Sequence, residues 1–220
     1  MPMLFLGQSA IFAPSMIQQA FREGEDSKPM TRYCPQCGAA LARNRVGGEL
    51  RNHWRCTGCG RLHHDHPMIV LTTFIACGKR LLWVQRALPP KQGAWAIPGG
   101  FMELGETLAE GAARELREEA GVVLPPAELE FYMMGTITFI NQIYVAFRAR
   151  VATEDTFAGS ESLACRYFSR EECPWDEVAY PEVNDAIIQA YDDLDSGTFA
   201  VWHTEMTAAR YQRHKVRQEH

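Results

Sequence analysis

Between Thr107 and Gly121 the chain can fold in very few ways. Thr107 with Glu110 three residues later is a capping-box signature, Gly121 suits the left-handed residue that ends a helix, and no proline intervenes. The spacing predicts a helix over Thr107 to Ala120. On it Glu115, Glu118 and Glu119 stand at i, i+3 and i+4, within about 100° of arc, so three carboxylates share one face. Leu108, Ala109, Ala112, Ala113, Leu116 and Ala120 make much of the remaining surface small and apolar, suited to packing on a sheet. Like charges at this spacing destabilise a bare helix, so the cluster calls for a compensating cation. Hard oxygen donors select Mg2+ or Mn2+. Arg114 and Arg117 can neutralise part of the charge, and a solvated acidic face stays open as the alternative at this point.

The flanking sequence reads as strands. Met68 to Ala76 and Leu81 to Ala87 are separated by a Gly78-Lys79 turn, and a loop with Pro89, Pro90 and Gly93 leads toward the helix. With 220 residues, 46% hydrophobic and 22% charged, the chain has room for one full domain and a small module. A net charge of -5 excludes global attraction to nucleic acid or an anionic membrane. No apolar run approaches the ~20 residues of a membrane span. Residues 1–30 read as a flexible leader, and no basic residue precedes their short apolar patch, so a secretory signal is not expected. Residues 204–220, with Arg210, Arg213, Lys215 and Arg217, read as a basic tail, a solvated and frayed helix end.

Seven cysteines cannot pair completely, and four of them stand in two tight pairs, Cys34/Cys37 and Cys56/Cys59, eighteen residues apart. Gly38 and Gly60 follow each pair directly. Four thiolates close a tetrahedron around structural Zn2+, whose binding supplies folding free energy that so short a segment lacks. Residues 31–66 are read as this zinc ribbon. Arg43, Arg45, Arg51 and Arg55 with Trp54 as a stacking surface make it modestly basic, which fits a solvated face better than a nucleic-acid site. His63, His64 and His66 beside Asp65 suggest a second metal, but the stretch is read as a link between domains. Cys77 and Cys165 are read as small buried hydrophobes.

Gly100, Glu106, Arg114-Glu115-Leu116, Glu118-Glu119 and Gly121-Val122 together match all nine defined positions of the Nudix box over twenty-three residues. The chain therefore resembles the Nudix hydrolase superfamily. That resemblance implies an α/β/α sandwich with a mixed sheet over residues 67–203, preceded here by the small N-terminal zinc ribbon. It implies hydrolysis of the pyrophosphate of a nucleoside diphosphate derivative with Mg2+ or Mn2+. Residue by residue, Glu115, Glu118 and Glu119 match the metal ligands, Arg114 matches the arginine that orients a carboxylate, and Gly100, Glu106 and Gly121 match structural positions of the box. Glu161 occupies the place of a later loop base that assists the water or a metal.

Within the superfamily, the ribbon and the stretches Gln142 to Phe147 and Glu161 to Arg166 look like the FAD pyrophosphatase group, whose members also act on ADP-ribose. The Ser-Gln-Pro-Trp motif of ribbon-bearing NADH pyrophosphatases is absent, and Ile137-Thr138-Phe139 stands where many ADP-ribose pyrophosphatases place a proline. The expected partner is a dinucleotide, FAD or ADP-ribose, with NAD(H) and capped RNA as alternatives and a nucleotide-sensing or RNA-binding regulator as the reading from another class. Phe139 and Tyr144 are candidates to stack on it, with strand core as the other reading of each, and Arg86 is a candidate phosphate contact. No membrane or nucleic-acid partner is expected, the expected compartment is the cytoplasm, and a homodimer is common in the resembled family.

Overall fold

The computed structural model describes residues 32–45, 52–207 and 210–216. The leader expectation for residues 1–30, and the places of Arg51 and Arg217, lie outside them. The chain divides into two compact units between Pro67 and Met68.

The first unit is a three-stranded antiparallel sheet of β1 (Leu41–Arg45), β2 (Asn52–Cys56) and β3 (Leu62–His63). Trp54 pairs with Arg43 on one side and His63 on the other. The Trp54 ring carries the guanidiniums of Arg32 and Arg43, 4.9 and 5.0 Å from its centre, and its Nε1 donates to Asp65 Oδ2 at 3.0 Å. The expected stacking surface is therefore already taken up by the ribbon's own arginines.

The second unit is built on a mixed sheet. Its strands are β4 (Met68–Cys77), β5 (Arg80–Arg86), β6 (Trp95–Ala96), β7 (Gly99–Phe101), β8 (Glu130–Ile137), β9 (Gln142–Arg150), β10 (Ser162–Phe168), β11 (Trp202–Met206) and β12 (Tyr211–Lys215). They lie in the order β10-β5-β4-β9-β8-β11-β12, with β6 added to β5 and β7 to β4. β4 runs parallel to β9 over Met68↔Gln142 to Ala76↔Arg150, and β11 runs parallel to β8, while the other pairings are antiparallel.

Strand alternation sorts the side chains to two faces. On one, Leu71, Ile75, Leu82 and Val84 pack against Ala112, Leu116 and Ala120 of α1 (Leu108–Ala120). On the other, Phe74, Leu81, Trp83 and Tyr132 pack against Ala186, Ile187, Ala190 and Leu194 of α2 (Asn184–Ser196). Buried Asp193 on α2 is satisfied by Tyr132 Oη, Gln189 Nε2 and Trp202 Nε1 at 2.7 to 3.2 Å. The product is a mixed α/β sandwich with a helix on each face, as the resemblance implies. Among the described residues no helix is long and apolar enough to cross a membrane.

The C-terminal segment corrects the sequence reading. A boundary at residue 204 cuts through β11, and among the described residues the expected tail is mostly sheet: Thr204 and Met206 are buried, and β12 pairs back on β11. The basic residues obscure the alternation because β12 is an edge strand, where Arg213 and Lys215 oppose pairing with another chain. Arg213 also lies over the Trp202 ring at 5.6 Å.

Candidate metal centre and hydrolytic site

The carboxylate cluster is assembled from three segments, the first of which is α1. Thr107 Oγ1 accepts from the Glu110 amide, the Glu110 carboxylate accepts from the Thr107 amide, and Gly121 ends the helix at φ 66°. This places the glutamate face as the spacing predicts.

The second segment comprises the short strands β6, paired to β5, and β7, paired to β4, that lead into the helix. A Cβ on Gly99 would lie 2.2 Å from the Leu71 carbonyl oxygen, so only glycine lets β7 run this close to β4. From there the Gly99 amide donates to Glu119 Oε2 at 2.8 Å. A Cβ on Gly100 would fall 2.5 Å from the Glu115 carboxyl carbon, so the glycine at that position makes room for the carboxylate itself.

The third segment is the loop before β10. The Phe157 and Gly159 amides donate to the carbonyls of Ala120 and Glu119, at 2.9 and 3.1 Å, capping the end of α1. The Ala87 amide donates to the Glu161 carbonyl at 2.8 Å, joining the loop to the end of β5. The exposed Glu161 is thereby brought near enough to Glu115 and Glu119 to raise both carboxyls.

Arg114 organises the centre. Its Nε and Nη2 donate to the two oxygens of Glu106 at 2.9 and 2.8 Å, and its Nη1 donates to Glu115 Oε1 at 2.8 Å and Glu118 Oε2 at 3.2 Å. The Arg114 hydrogen bonds, with one from the Glu103 amide, pull the Glu106 carboxyl down to about 2. Burial pushes Glu115 above the usual range against the opposing pull of Arg114, and Glu118 and Glu161 add to the rise. Glu119, 9% exposed, is pushed up to about 7, chiefly by burial, with Glu115 and Glu161 adding and the Gly99 amide and Arg86 opposing. Carboxylates this costly to ionise suit a bound cation, and an all-oxygen donor set fits Mg2+ or Mn2+.

In the first unit the cysteine quartet is more compact. All four sulphurs lie within 4.8 Å of one another, with Cys34 to Cys59 at 3.8 Å and Cys37 to Cys56 at 3.4 Å. A tetrahedral site with Zn–S bonds of about 2.3 Å needs sulphurs roughly 3.8 Å apart. Gly38 and Gly60 adopt φ 71° and 72°, closing a turn after each pair. The amides of Cys59 and Gly58 both donate to Cys56 Sγ at 3.4 Å, and they draw its thiol down to about 6. The quartet thus fits a thiolate-bound metal.

Two substrate candidates do not join the cluster. Tyr144 is 7% exposed in the core on the α2 face, where its hydroxyl accepts from Thr204 Oγ1 at 3.0 Å and donates to Met133 Sδ at 2.9 Å. Phe139 sits in a 3-10 turn (Thr138–Ile140), not on a strand, and packs against the same core. Strand periodicity assigns a side chain to a face without saying which face meets the site. Arg86 does join the cluster: it stands at the end of β5, its charge lowers Glu119, and its guanidinium lies 5.8 Å from the Tyr180 ring centre. Tyr180, missed from the sequence, arrives through the Ala179 amide bond to the Trp95 carbonyl at 2.8 Å. A residue 94 positions from Arg86 leaves no local signal. Cys165 is half-buried, and its thiol, pushed up to about 11 by burial, donates to the Glu119 carbonyl at 3.4 Å.

A NUDIX domain model matches residues 66–190. The NAD-capped RNA hydrolase NudC of Vibrio atlanticus is 27% identical over 168 residues, 75% of this chain and 56% of the relative. The ADP-ribose pyrophosphatase of Methanocaldococcus jannaschii is 38% identical over 58 residues, 26% of this chain and 34% of the relative. The chain thus spans about half or less of the length of these curated relatives. The crystal structure of a NUDIX hydrolase from Nitrosomonas europaea superposes with a TM-score of 0.74 at 30% identity, covering 80% of this chain and 99% of that one. A family model that fits more than half of the sequence, joined by a solved relative matched over nearly its whole length, places this chain in the Nudix hydrolase family.

Proposed function

We propose that the chain hydrolyses the pyrophosphate bond of a nucleoside diphosphate derivative, with FAD (to AMP and FMN) or ADP-ribose (to AMP and ribose 5-phosphate) as substrate. The observation that carries this reading is the convergence of Glu115, Glu118, Glu119 and Glu161 around Arg114 and Arg86 at one end of α1. Glu115, Glu118 and Glu119 would hold Mg2+ or Mn2+, which supplies charge neutralisation at the pyrophosphate and a lower pKa for the attacking water. Arg114 turns Glu115 and Glu118 toward a common point through one nitrogen. Glu161, exposed at the rim, takes the proton of the attacking water. Arg86 binds a phosphate oxygen. Cys34, Cys37, Cys56 and Cys59 would hold Zn2+ as thiolates in a structural ribbon over residues 31–66, and cysteines kept for metal and not for disulfides suit a reducing compartment, the cytoplasm.

The similarity to NudC favours a second reading, in which NAD, NADH or a NAD-capped RNA is the substrate. One panel separates the two. Incubated with Mg2+ or Mn2+, the protein should release AMP from FAD or ADP-ribose. AMP from NADH alone overturns the preference, and AMP from no dinucleotide overturns the dinucleotide pyrophosphatase reading.

A further inference from the structure

Arg86 is fixed at its backbone before its side chain is considered. Its amide donates to the Ala94 carbonyl and its carbonyl accepts from the Gly93 amide, at 2.9 and 2.8 Å, which closes the loop between β5 and β6. On the other side it is paired with Ser162 of β10. Strand alternation sets its side chain on the face of Leu82 and Val84, the face that carries α1. Among the described residues the guanidinium makes one hydrogen bond, from Nε to the Pro90 carbonyl at 3.0 Å.

The second hold on that guanidinium is the Tyr180 ring, over which it lies 5.8 Å from the centre. Tyr180 is itself pinned to the strands that lead into α1. Val178 bridges buried Trp95 in parallel, the Ala179 amide donates to the Trp95 carbonyl at 2.8 Å, and the Tyr180 carbonyl accepts from the Val183 amide at 3.0 Å to start the turn Pro181–Val183. A cation over a ring is held by the field of the ring and spends no N–H donor. Nη1 and Nη2 therefore stay available as a fork for one phosphate. The charge of Arg86 already reaches Glu119, so the fork opens beside the carboxylates. We propose that Tyr180 is a positioning residue for the hydrolysis, holding the Arg86 guanidinium so that Nη1 and Nη2 meet a phosphate of the substrate; this rests on the reading of Arg86 as the phosphate contact. Without the ring, the half-buried Arg86 side chain regains rotamer freedom that phosphate binding must then remove.

The test is a double-mutant cycle on the full-length protein with Mg2+ present. It reads, by calorimetry, the affinity for methylenediphosphonate, a pyrophosphate analogue that cannot be cleaved. Arg86→Ala should weaken binding about tenfold or more. Tyr180→Leu should weaken it about three- to fivefold, and Tyr180→Phe, which keeps the ring, by less than about twofold. In the Arg86→Ala background Tyr180→Leu should add nothing, because its effect runs through the guanidinium. Damage to the fold would weaken binding in both backgrounds, so the cycle separates it from positioning. The proposal is overturned if wild type does not bind the analogue, if Tyr180→Leu binds as wild type does, if Tyr180→Phe is as weak as Tyr180→Leu, or if the loss persists without Arg86. With a dinucleotide that is cleaved, Tyr180→Leu should raise KM in the same proportion and leave kcat nearly unchanged. Binding is read without turnover, so a panel in which no dinucleotide is cleaved overturns the substrate reading while the cycle still decides the role of Tyr180.

Discussion

The cysteine quartet and the glutamate cluster handle like-charged ligands in opposite ways. The four sulphurs lie within 4.8 Å of one another, and among the described residues the hydrogen bonds they receive come from one another and from backbone amides. The glutamates are engaged by the protein instead: Arg114 binds Glu106, Glu115 and Glu118, and the Gly99 amide binds Glu119. A ligand set without protein counter-charge depends on its metal for folding, whereas one with an internal arginine can fold first and bind a cation afterwards. The comparison predicts that metal removal unfolds the first unit and only disarms the second.

The largest expected effect tests that asymmetry. Structural zinc contributes on the order of 10 kcal/mol to a small domain of this kind. Strong chelation, or Cys37→Ser, should therefore expose residues 32–66 to amide exchange while leaving the core of residues 68–207 protected. Equal loss of protection in both units would break the comparison. On the glutamate side the corresponding change is chemical. Glu118→Gln removes one charged donor at a half-exposed position, so turnover should fall by about 10²-fold or more with little change in Tm. A fully active variant would remove Glu118 from the site.

These two sites also differ in how far the sequence reveals them. The cap at Thr107, the end at Gly121 and the shared face of Glu115, Glu118 and Glu119 are set by spacings within one helix, and the structure has them as spaced. The cysteine turns are equally local. Arg86 near Glu119, Tyr180 beside Arg86 and the Cys165 bond to the Glu119 carbonyl join positions tens of residues apart, and no periodicity encodes them. Tyr144 shows the limit most clearly. Its strand is evident from the sequence, but which side of the sheet it faces depends on the register of β9 against β4 and β8. The basic C-terminal strand was obscured for another reason, since edge strands carry the charges that otherwise mark a solvated tail.

A sharper form of the comparison comes from pH. Glu119 has its carboxyl raised from the ordinary 4.5 to about 7, mainly by burial. Folding therefore favours its protonated form. The associated stability is fully present below about 4.5 and is lost as pH rises through about 7, on the order of 3 kcal/mol in metal-free protein. Tm of the second unit without divalent cation should fall over this window, and Mg2+ should restore it. Glu119→Gln should flatten the profile, and an unchanged slope in that variant would assign the pH dependence to another group. Arg114→Lys follows in size. Lysine keeps the charge but cannot bind Glu106 through two nitrogens while reaching Glu115 and Glu118 through a third. Activity should fall about 10- to 100-fold with Tm lowered only slightly.

The smallest effect is expected at Tyr144, and it separates a core residue from a substrate contact. Its hydroxyl bridges Thr204 and Met133 inside the α2-side core, with Gly135 making room for the ring. Tyr144→Phe keeps the ring and deletes the bridge, leaving the Thr204 hydroxyl without that acceptor. The cost should be about 1 kcal/mol of stability, read as a small fall in Tm, with KM and kcat for the preferred dinucleotide unchanged. A raised KM at unchanged Tm would return Tyr144 to the substrate site. Arg86→Ala supplies the contrast, because Arg86 lies among the carboxylates: it should raise KM and push the Glu119 carboxyl further up, since the guanidinium is one of the two groups that now hold it down.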